Sequence, residues 1–207
     1  REDLIGSFAT AYMLSLMVGA AITPLLTKFF DKRKLLLILM SIVGALSLIF
    51  YFIPKDNIYL IFTLQIAIGL ALGPKSPLVF SMYADTADYS EWKNGRRATA
   101  MIFSAASFSQ KLGGAFAGAI MGWLLASLGY VANEMQSNAS EHGIVLLMTI
   151  IPGAFAILAV LVVRLYPLNQ QQLKEIHADL FESKKISKHD SEVKPVKKSL
   201  NEPFANG

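Results

Sequence analysis

The sequence predicts an all-α membrane protein: five transmembrane helices, then a short amphipathic helix and a disordered basic tail. Three observations carry this. The 207 residues are 54% hydrophobic and only 16% charged, where a soluble domain carries about 25% charge. The charge is clustered, which leaves charge-free runs at Leu4–Thr27, Leu35–Pro54, Ile58–Pro74, Leu112–Asn133 and Gly143–Val163. Each run approaches the roughly 20 apolar residues needed to cross a hydrocarbon core of about 30 Å. The expected spans are 4–28, 34–54, 58–84, 97–128 and 143–165, one transmembrane bundle over residues 1–166. The lipid bilayer is then the first partner, and the pI near 9.2 reflects membrane orientation and not nucleic-acid binding, because the lysines sit at span ends and in the tail.

The first span follows directly on Arg1-Glu2-Asp3. It is too long for the apolar stretch of a signal peptide, and with no initiator methionine the chain is expected to begin inside a larger polypeptide. The second span is an unbroken apolar run. Gly69, Gly73, Pro74 and Pro77 interrupt the third, which membranes tolerate where neighbouring helices satisfy the freed backbone groups. In the fourth, Gly114, Gly118 and Gly122 recur every four residues and offer a smooth face for close helix packing. Pro152 is expected to kink the fifth.

Beyond Arg164, Leu173, Ile176, Leu180 and Phe181 recur at helical spacing among polar residues, which predicts an amphipathic helix over 167–182, lying on the membrane or against the cytoplasmic loops. Residues 183–207 have little to bury and are expected to be a disordered, solvated tail, anionic-lipid contact being the other reading. The sequon at Asn138-Ala139-Ser140 is read as a chance match.

Alternate loops of a five-span protein lie on opposite sides. One pair holds Lys28, Lys32, Arg33, Lys34, Lys93, Arg96 and Arg97; the other holds only Lys55. The positive-inside rule puts the first pair in the cytoplasm of a bacterial inner membrane. The N-terminus of the chain is then periplasmic and the tail cytoplasmic. With no cysteine, disulfides and thiolate metal sites are excluded, and no cofactor is expected.

Two features are chemical. In Asp85-Thr-Ala-Asp88-Tyr-Ser-Glu91-Trp-Lys-Asn-Gly95-Arg96-Arg97, the carboxylates of Asp85, Asp88 and Glu91 fall at i, i+3, i+6 and share a face if the helix continues. Gly95 then permits a turn toward Arg96 and Arg97. A solvated loop is one reading; the spacing favours an ion-pair network closing one mouth of a transporter. Exposed pairs contribute only ~0–1 kcal/mol each, which suits a gate that must open. The second feature is a pair of intramembrane lysines. Lys111 lies about 21 Å along the helix from Arg97 and Lys75 about 15 Å from Asp85. Ionisable groups at such depth cost at least ~2.5–3.5 kcal/mol and are functional candidates. Lys111 is expected to line a polar cavity. Lys75, within the broken segment Gly73-Pro74-Lys75-Ser76-Pro77, either lines it too or meets water admitted by the break.

The block Ala84–Arg97 resembles the A-D-x-x-D-Y-G-E-W-K-x-G-x-R signature of the glycoside–pentoside–hexuronide:cation symporters, the melibiose-permease group of the major facilitator superfamily. Ser90 stands where the signature has glycine. Phe29-Phe30-Asp31-Lys32-Arg33 resembles the superfamily's loop between helices eight and nine. Gln110-Lys111-Leu112-Gly113-Gly114-Ala115, Gly129-Tyr130-Val131-Ala132-Asn133 and Tyr166-Pro167-Leu168-Asn169 resemble helix eleven, its following loop and the tail. The resemblance implies that the spans are helices 8–12 of a twelve-helix fold. It implies that Asp85, Asp88, Glu91, Arg97 and Arg96 form a cytoplasmic gating network. It also implies that Lys111 and Ser107, one turn earlier, face the sugar and cation cavity. The implied activity is symport of a sugar or glycoside with H+ or Na+, and the implied partner is the N-terminal half of the same transporter. A plant-derived pentoside or glycoside is the preferred substrate class. A membrane prenyltransferase is the enzyme alternative, because Asp85-x-x-Asp88 could hold a magnesium diphosphate. It needs a second acidic loop, and the other loop offers only Asp31 among four basic residues. A non-transporting scaffold leaves the intramembrane lysines unexplained.

Overall fold

The computed structural model describes residues 3–54, 56–131, 134 and 136–200, and among these the regular structure is entirely helical. Eight helices follow in order: α1 Asp3–Phe29, α2 Lys32–Tyr51, α3 Ile58–Leu72, α4 Lys75–Asn94, α5 Thr99–Ser127, α6 Asn138–Met148, α7 Ile150–Arg164 and α8 Gln170–Leu200. Arg1, Glu2, Lys55, Ala132, Asn133, Met135 and residues 201–207 lie outside the described residues.

Local chemistry sets the boundaries. Asp31 caps α2, its side chain accepting from the Arg33 amide at 2.9 Å; Asn57 does the same for α3 through the Leu60 amide at 3.3 Å, and Ser137 for α6 through the Ser140 amide at 3.1 Å. Each satisfies a donor that a helix start would orphan. Gly95, at φ 67°, ends α4 in the left-handed conformation that only glycine adopts without strain. Proline makes both breaks. Pro74 has no amide for the Leu70 carbonyl, and α3 stops at Leu72; Pro152 has none for the Met148 carbonyl, and α6 stops there. The kink expected from Pro152 is thus a full interruption at Thr149.

The core lies around α2. Leu35, Leu36, Met40 and Val43 of α2 pack with Ile68 and Ala71 of α3, Leu78 and Met82 of α4 and Ala156 of α7. The two broadest helix contacts are α2 on α7 and α1 on α3, and both are built on glycine. A Cβ on Gly19 would stand 2.5 Å from the Leu70 carbonyl oxygen, and one on Gly153 3.3 Å from the Ser47 Cβ. Small residues let backbones approach closely where lipid supplies no hydrophobic drive between helices.

The five expected spans correspond to five helical segments. Four of them are long and apolar enough to cross a membrane: Gly6–Phe29, Lys32–Tyr51, Ile58–Asn94 and Asn138–Arg164. The remaining helix, α5, has 29 residues, a length of about 43 Å; its serines, glycines, Gln110 and Lys111 dilute its apolar character. Two details differ from expectation. First, the glycine face of α5 is bare among the described residues: a Cβ on Gly114, Gly118 or Gly122 meets no atom within 4 Å, and α5 has no buried residue there. The close crossings fall in α1–α3 and α2–α7 instead. Second, the tail helix was expected to end at 182, whereas α8 runs to Leu200; residues 201–207 of the expected disordered tail lie outside the described residues. Lysine and glutamate are good helix formers with nothing to bury, which reasoning from hydrophobicity alone overlooks. Of its apolar stripe, Ile176 is 3% exposed while Phe181 is 73% exposed, and α8 packs on α4.

Candidate functional site

The ends of α1, α4 and α7, the starts of α2 and α5, and the first half of α8 gather at one end of the bundle, and the charged residues tie them together. Lys32, the first residue of α2, donates to both Asp85 carboxylate oxygens at 2.9 and 2.8 Å. Asp85 is 4% exposed, so this pair is shielded from solvent on the carboxylate side. The neighbouring Asp31 works in two directions: one oxygen caps α2, and the other accepts from the Gln170 amide at the start of α8, at 3.1 Å. Arg33 reaches the end of α7, donating to the Arg164 carbonyl at 2.7 Å. Asp31 and the first two residues of α2 therefore hold α4, α7 and α8.

One turn on, Asp88 joins two partners. Its Oδ1 lies 2.8 Å from an Arg97 nitrogen and its Oδ2 lies 3.2 Å from His177 Nε2 on α8. Glu91 likewise meets Lys184 of α8 at 2.9 Å through Oε1. Its Oε2 sits 3.9 Å from Arg97 Nε, too long for a hydrogen bond, and this buried oxygen has no hydrogen-bond partner. Trp92 Nε1 donates to Asp179 Oδ2 at 2.9 Å. Between the pairs, the Tyr166 phenol contacts the Met82 carbonyl at 3.4 Å. Burial raises its pKa; the Thr86 hydroxyl lowers it, and the nearby Asp85 and Asp31 charges raise it further. Tyr166 thus remains a neutral donor.

Of the five residues expected in the network, Asp88, Glu91 and Arg97 are brought together, and Asp85 pairs separately with Lys32. Arg96 differs. It contributes its carbonyl, which accepts from Ser90 Oγ at 3.1 Å, and among the described residues its guanidinium is in no ion pair. Sequence reasoning missed Lys32, His177, Asp179 and Lys184 as partners. His177 and Lys184 are seven residues apart, two turns of one helix, flanking the Leu173–Ile176–Leu180 stripe; that periodicity was the available signal.

The intramembrane residues are not brought together. Lys75 lines a cavity of ≈ 380 Å³ with Tyr12, Ser47 and Gln65 against an apolar wall including Phe155. Lys111 and Ser107 line a different surface: both are exposed, on the bare face of α5. Among the described residues, no group of three His, Asp or Glu could hold a metal ion; Asp85 and Asp88 each meet a cation, Lys32 and Arg97.

Residues 1–170 match the family described as MFS/sugar transport protein. Among curated relatives, the chain is 35% identical over 168 residues to an uncharacterized 29.9 kDa protein of Pseudescherichia vulneris, covering 81% of this chain and 61% of that protein. It is 32% identical over 185 residues to the inner membrane symporter YicJ of Escherichia coli K12, covering 88% of this chain and 40% of that one. To the isoprimeverose transporter of Lactiplantibacillus pentosus it is 34% identical over 187 residues, covering 86% and 39%. The chain thus spans less than two thirds of the length of these relatives.

Proposed function

The chain belongs to the MFS/sugar transport family, and on that premise we propose that it forms the C-terminal part of a sugar or glycoside symporter driven by H+ or Na+. The family is one of transporters, which removes the prenyltransferase reading. Relatives named as a glycoside/cation symporter and an isoprimeverose transporter support a glycoside substrate, with a pentoside preferred. The observation that carries the reading is the set of ion pairs fastening α2, α8 and the turn before α5 onto α4 at one end of the bundle.

That end holds seven of the eight loop basic residues, so it faces the cytoplasm by the positive-inside rule. The pairs Lys32–Asp85 and Arg97–Asp88 brace the cytoplasmic end of this half. The half-exposed Arg97 can exchange its partner for water at a cost of about 0–1 kcal/mol. Transport proceeds by rocking of this bundle against the N-terminal half of the same transporter around a midplane site. The bare face of α5, with Lys111 and Ser107, lines that site, whereas Lys75 lines a separate cavity with Tyr12, Ser47 and Gln65.

Replacing Lys111→Leu in the complete polypeptide is expected to abolish coupled uptake of radiolabelled glycoside in membrane vesicles while the amount of inserted protein stays unchanged. Uptake near the wild-type rate would remove Lys111 from the site. Imposing a sodium gradient and a pH gradient separately on the same vesicles identifies the coupling ion.

A further inference from the structure

Where α1 gives way to α2, a groove of ≈ 720 Å³ opens between these helices and the start of α8. Its walls are of two kinds. Phe29 and Phe30, 77% and 48% exposed, supply apolar surface. Lys34, Lys174 and Asn169 supply the polar side. The acid in the lining is Asp31, and each of its oxygens already accepts a backbone amide, that of Arg33 or of Gln170. Two lysines against one carboxylate leave the groove with a net charge of +1. Both lysines are exposed, and among the described residues neither is in an ion pair.

The groove lies at the depth of lipid headgroups. The spans Gly6–Phe29 and Lys32–Tyr51 meet here, so Phe29 ends one apolar segment and Lys34 stands in the first turn of the next. Toward the membrane interior the exposed surface is apolar on both helices. Ile38 and Ile42 follow Lys34 at four-residue spacing on α2, and Leu25, Ile22 and Val18 precede Phe29 along one face of α1. α1 packs mainly on α3 and α2 mainly on α7, with little contact between α1 and α2. Membrane orientation asks only that basic residues lie at this end. It does not ask that lysines from two distant parts of the chain share one groove with two phenylalanines.

We propose that this groove is a binding site for an anionic phospholipid, its phosphate shared by Lys34 and Lys174 and its acyl chains along the apolar rows of α1 and α2. Basic recesses at the ends of spans suit such headgroups, and each lysine near an anionic lipid changes affinity several-fold. A soluble phosphate would use the lysines and leave the apolar rows without a partner; a zwitterionic lipid would leave the net charge unmatched. The bound lipid joins α1, α2 and α8. Its site is separate from the one lined by Lys111 and Ser107, and it stands whether or not the solute and coupling ion are those proposed above.

The test reads lipid contact without transport. In the complete polypeptide, with its other tryptophans replaced by phenylalanine, Phe29→Trp places one fluorophore in the groove. The protein is reconstituted in phosphatidylcholine vesicles holding increasing fractions of brominated phosphatidylglycerol, which quenches tryptophan only in contact. Phosphatidylglycerol is expected to be preferred over phosphatidylcholine roughly twentyfold, about fivefold for each lysine. Lys34→Gln or Lys174→Gln should each remove about fivefold, and the two together the whole preference. The double replacement Lys34→Arg, Lys174→Arg should retain it, which separates loss of charge from loss of fold. Lys93→Gln, outside the groove, should change nothing. Equal quenching by brominated phosphatidylcholine overturns the proposal, as does a loss in Lys93→Gln as large as in Lys34→Gln, which would mean diffuse attraction to the charged surface. Relief of quenching by millimolar glycerol 3-phosphate would assign the groove to a soluble phosphate and overturn the lipid.

Discussion

Replacing Lys32→Met is expected to damage the protein far more than replacing Asp85→Asn, although the two residues form one pair. The asymmetry follows from burial. Asp85 has a side chain only 6% exposed and both oxygens on Lys32, whose side chain is 33% exposed. Without Lys32, a carboxylate is stranded where water cannot reach it, and breaking a buried pair this way costs about 3–5 kcal/mol. Without the Asp85 charge, Lys32 swings its ammonium into solvent, and the amide retains a polar contact; the loss should be nearer to about 1 kcal/mol. Combining both changes should cost less than the sum, because the stranded charge is gone. Thermal unfolding of detergent-purified protein checks the order: Lys32→Met lowest, the double variant above it, Asp85→Asn close to wild type. Equal losses, or strict additivity, would mean that Asp85 finds another partner when Lys32 is absent.

The same pair shows what the sequence could and could not disclose. Asp85, Asp88 and Glu91 were legible as a set because three carboxylates on one helix face of an apolar protein must either meet cations or reach water. The positions of Gly95 and Arg97 followed from the turn that the glycine permits. Lys32 was visible only as one basic residue among four in a loop; its selection by Asp85 depends on how α2 and α4 cross, which is a matter of tertiary packing. His177 and Lys184 were missed for a related reason. Their face of α8 becomes specific only once Ile176 has chosen α4 as its seat, and apolar periodicity alone left membrane and protein as equal choices. Arg96 went the other way: adjacent residues in a turn point apart, so only one guanidinium of the pair could reach the carboxylates.

Composition misled where it was used as a proxy for packing. Glycines every four residues on α5 looked like a helix interface, yet no other described part of this chain covers them. The interruption at Gly73-Pro74 looked like a tolerated defect, and it proved to be one side of a backbone-to-backbone crossing with α1. The distinction turns on partners: a small-residue stripe is an interface only if a second stripe meets it. Ser15 and Gly19 on α1 are four residues apart, as are Gly69 and Gly73, and these two rows meet.

That crossing gives the second large expected effect. Gly73→Val should prevent accumulation of folded protein. A Cβ at this position would press on the Leu16 carbonyl and stand 2.8 Å from the Ala20 amide nitrogen, and neither group belongs to a side chain that could rotate away. Either α1 leaves α3, or the α3–α4 junction shifts and carries Leu78, Met82 and then Asp85 with it. Overpacking of this kind typically costs about 1–3 kcal/mol, and the branched side chain adds strain at the junction. Gly69→Ala should be milder, because the atom it meets is the Ser15 hydroxyl, which can give up its bond to the Tyr12 carbonyl and turn. Gly118→Ala on α5, with nothing within 4 Å, should leave the packing of this chain unchanged. Membrane-inserted yield and the midpoint of thermal aggregation in detergent should therefore fall in the order Gly118→Ala, Gly69→Ala, Gly73→Val. A Gly73→Val protein as abundant and as stable as wild type would show that α1 and α3 do not touch through their backbones. A large loss at Gly118 would mean that the bare face of α5 is covered in the complete polypeptide, by a helix as close to it as α3 is to α1.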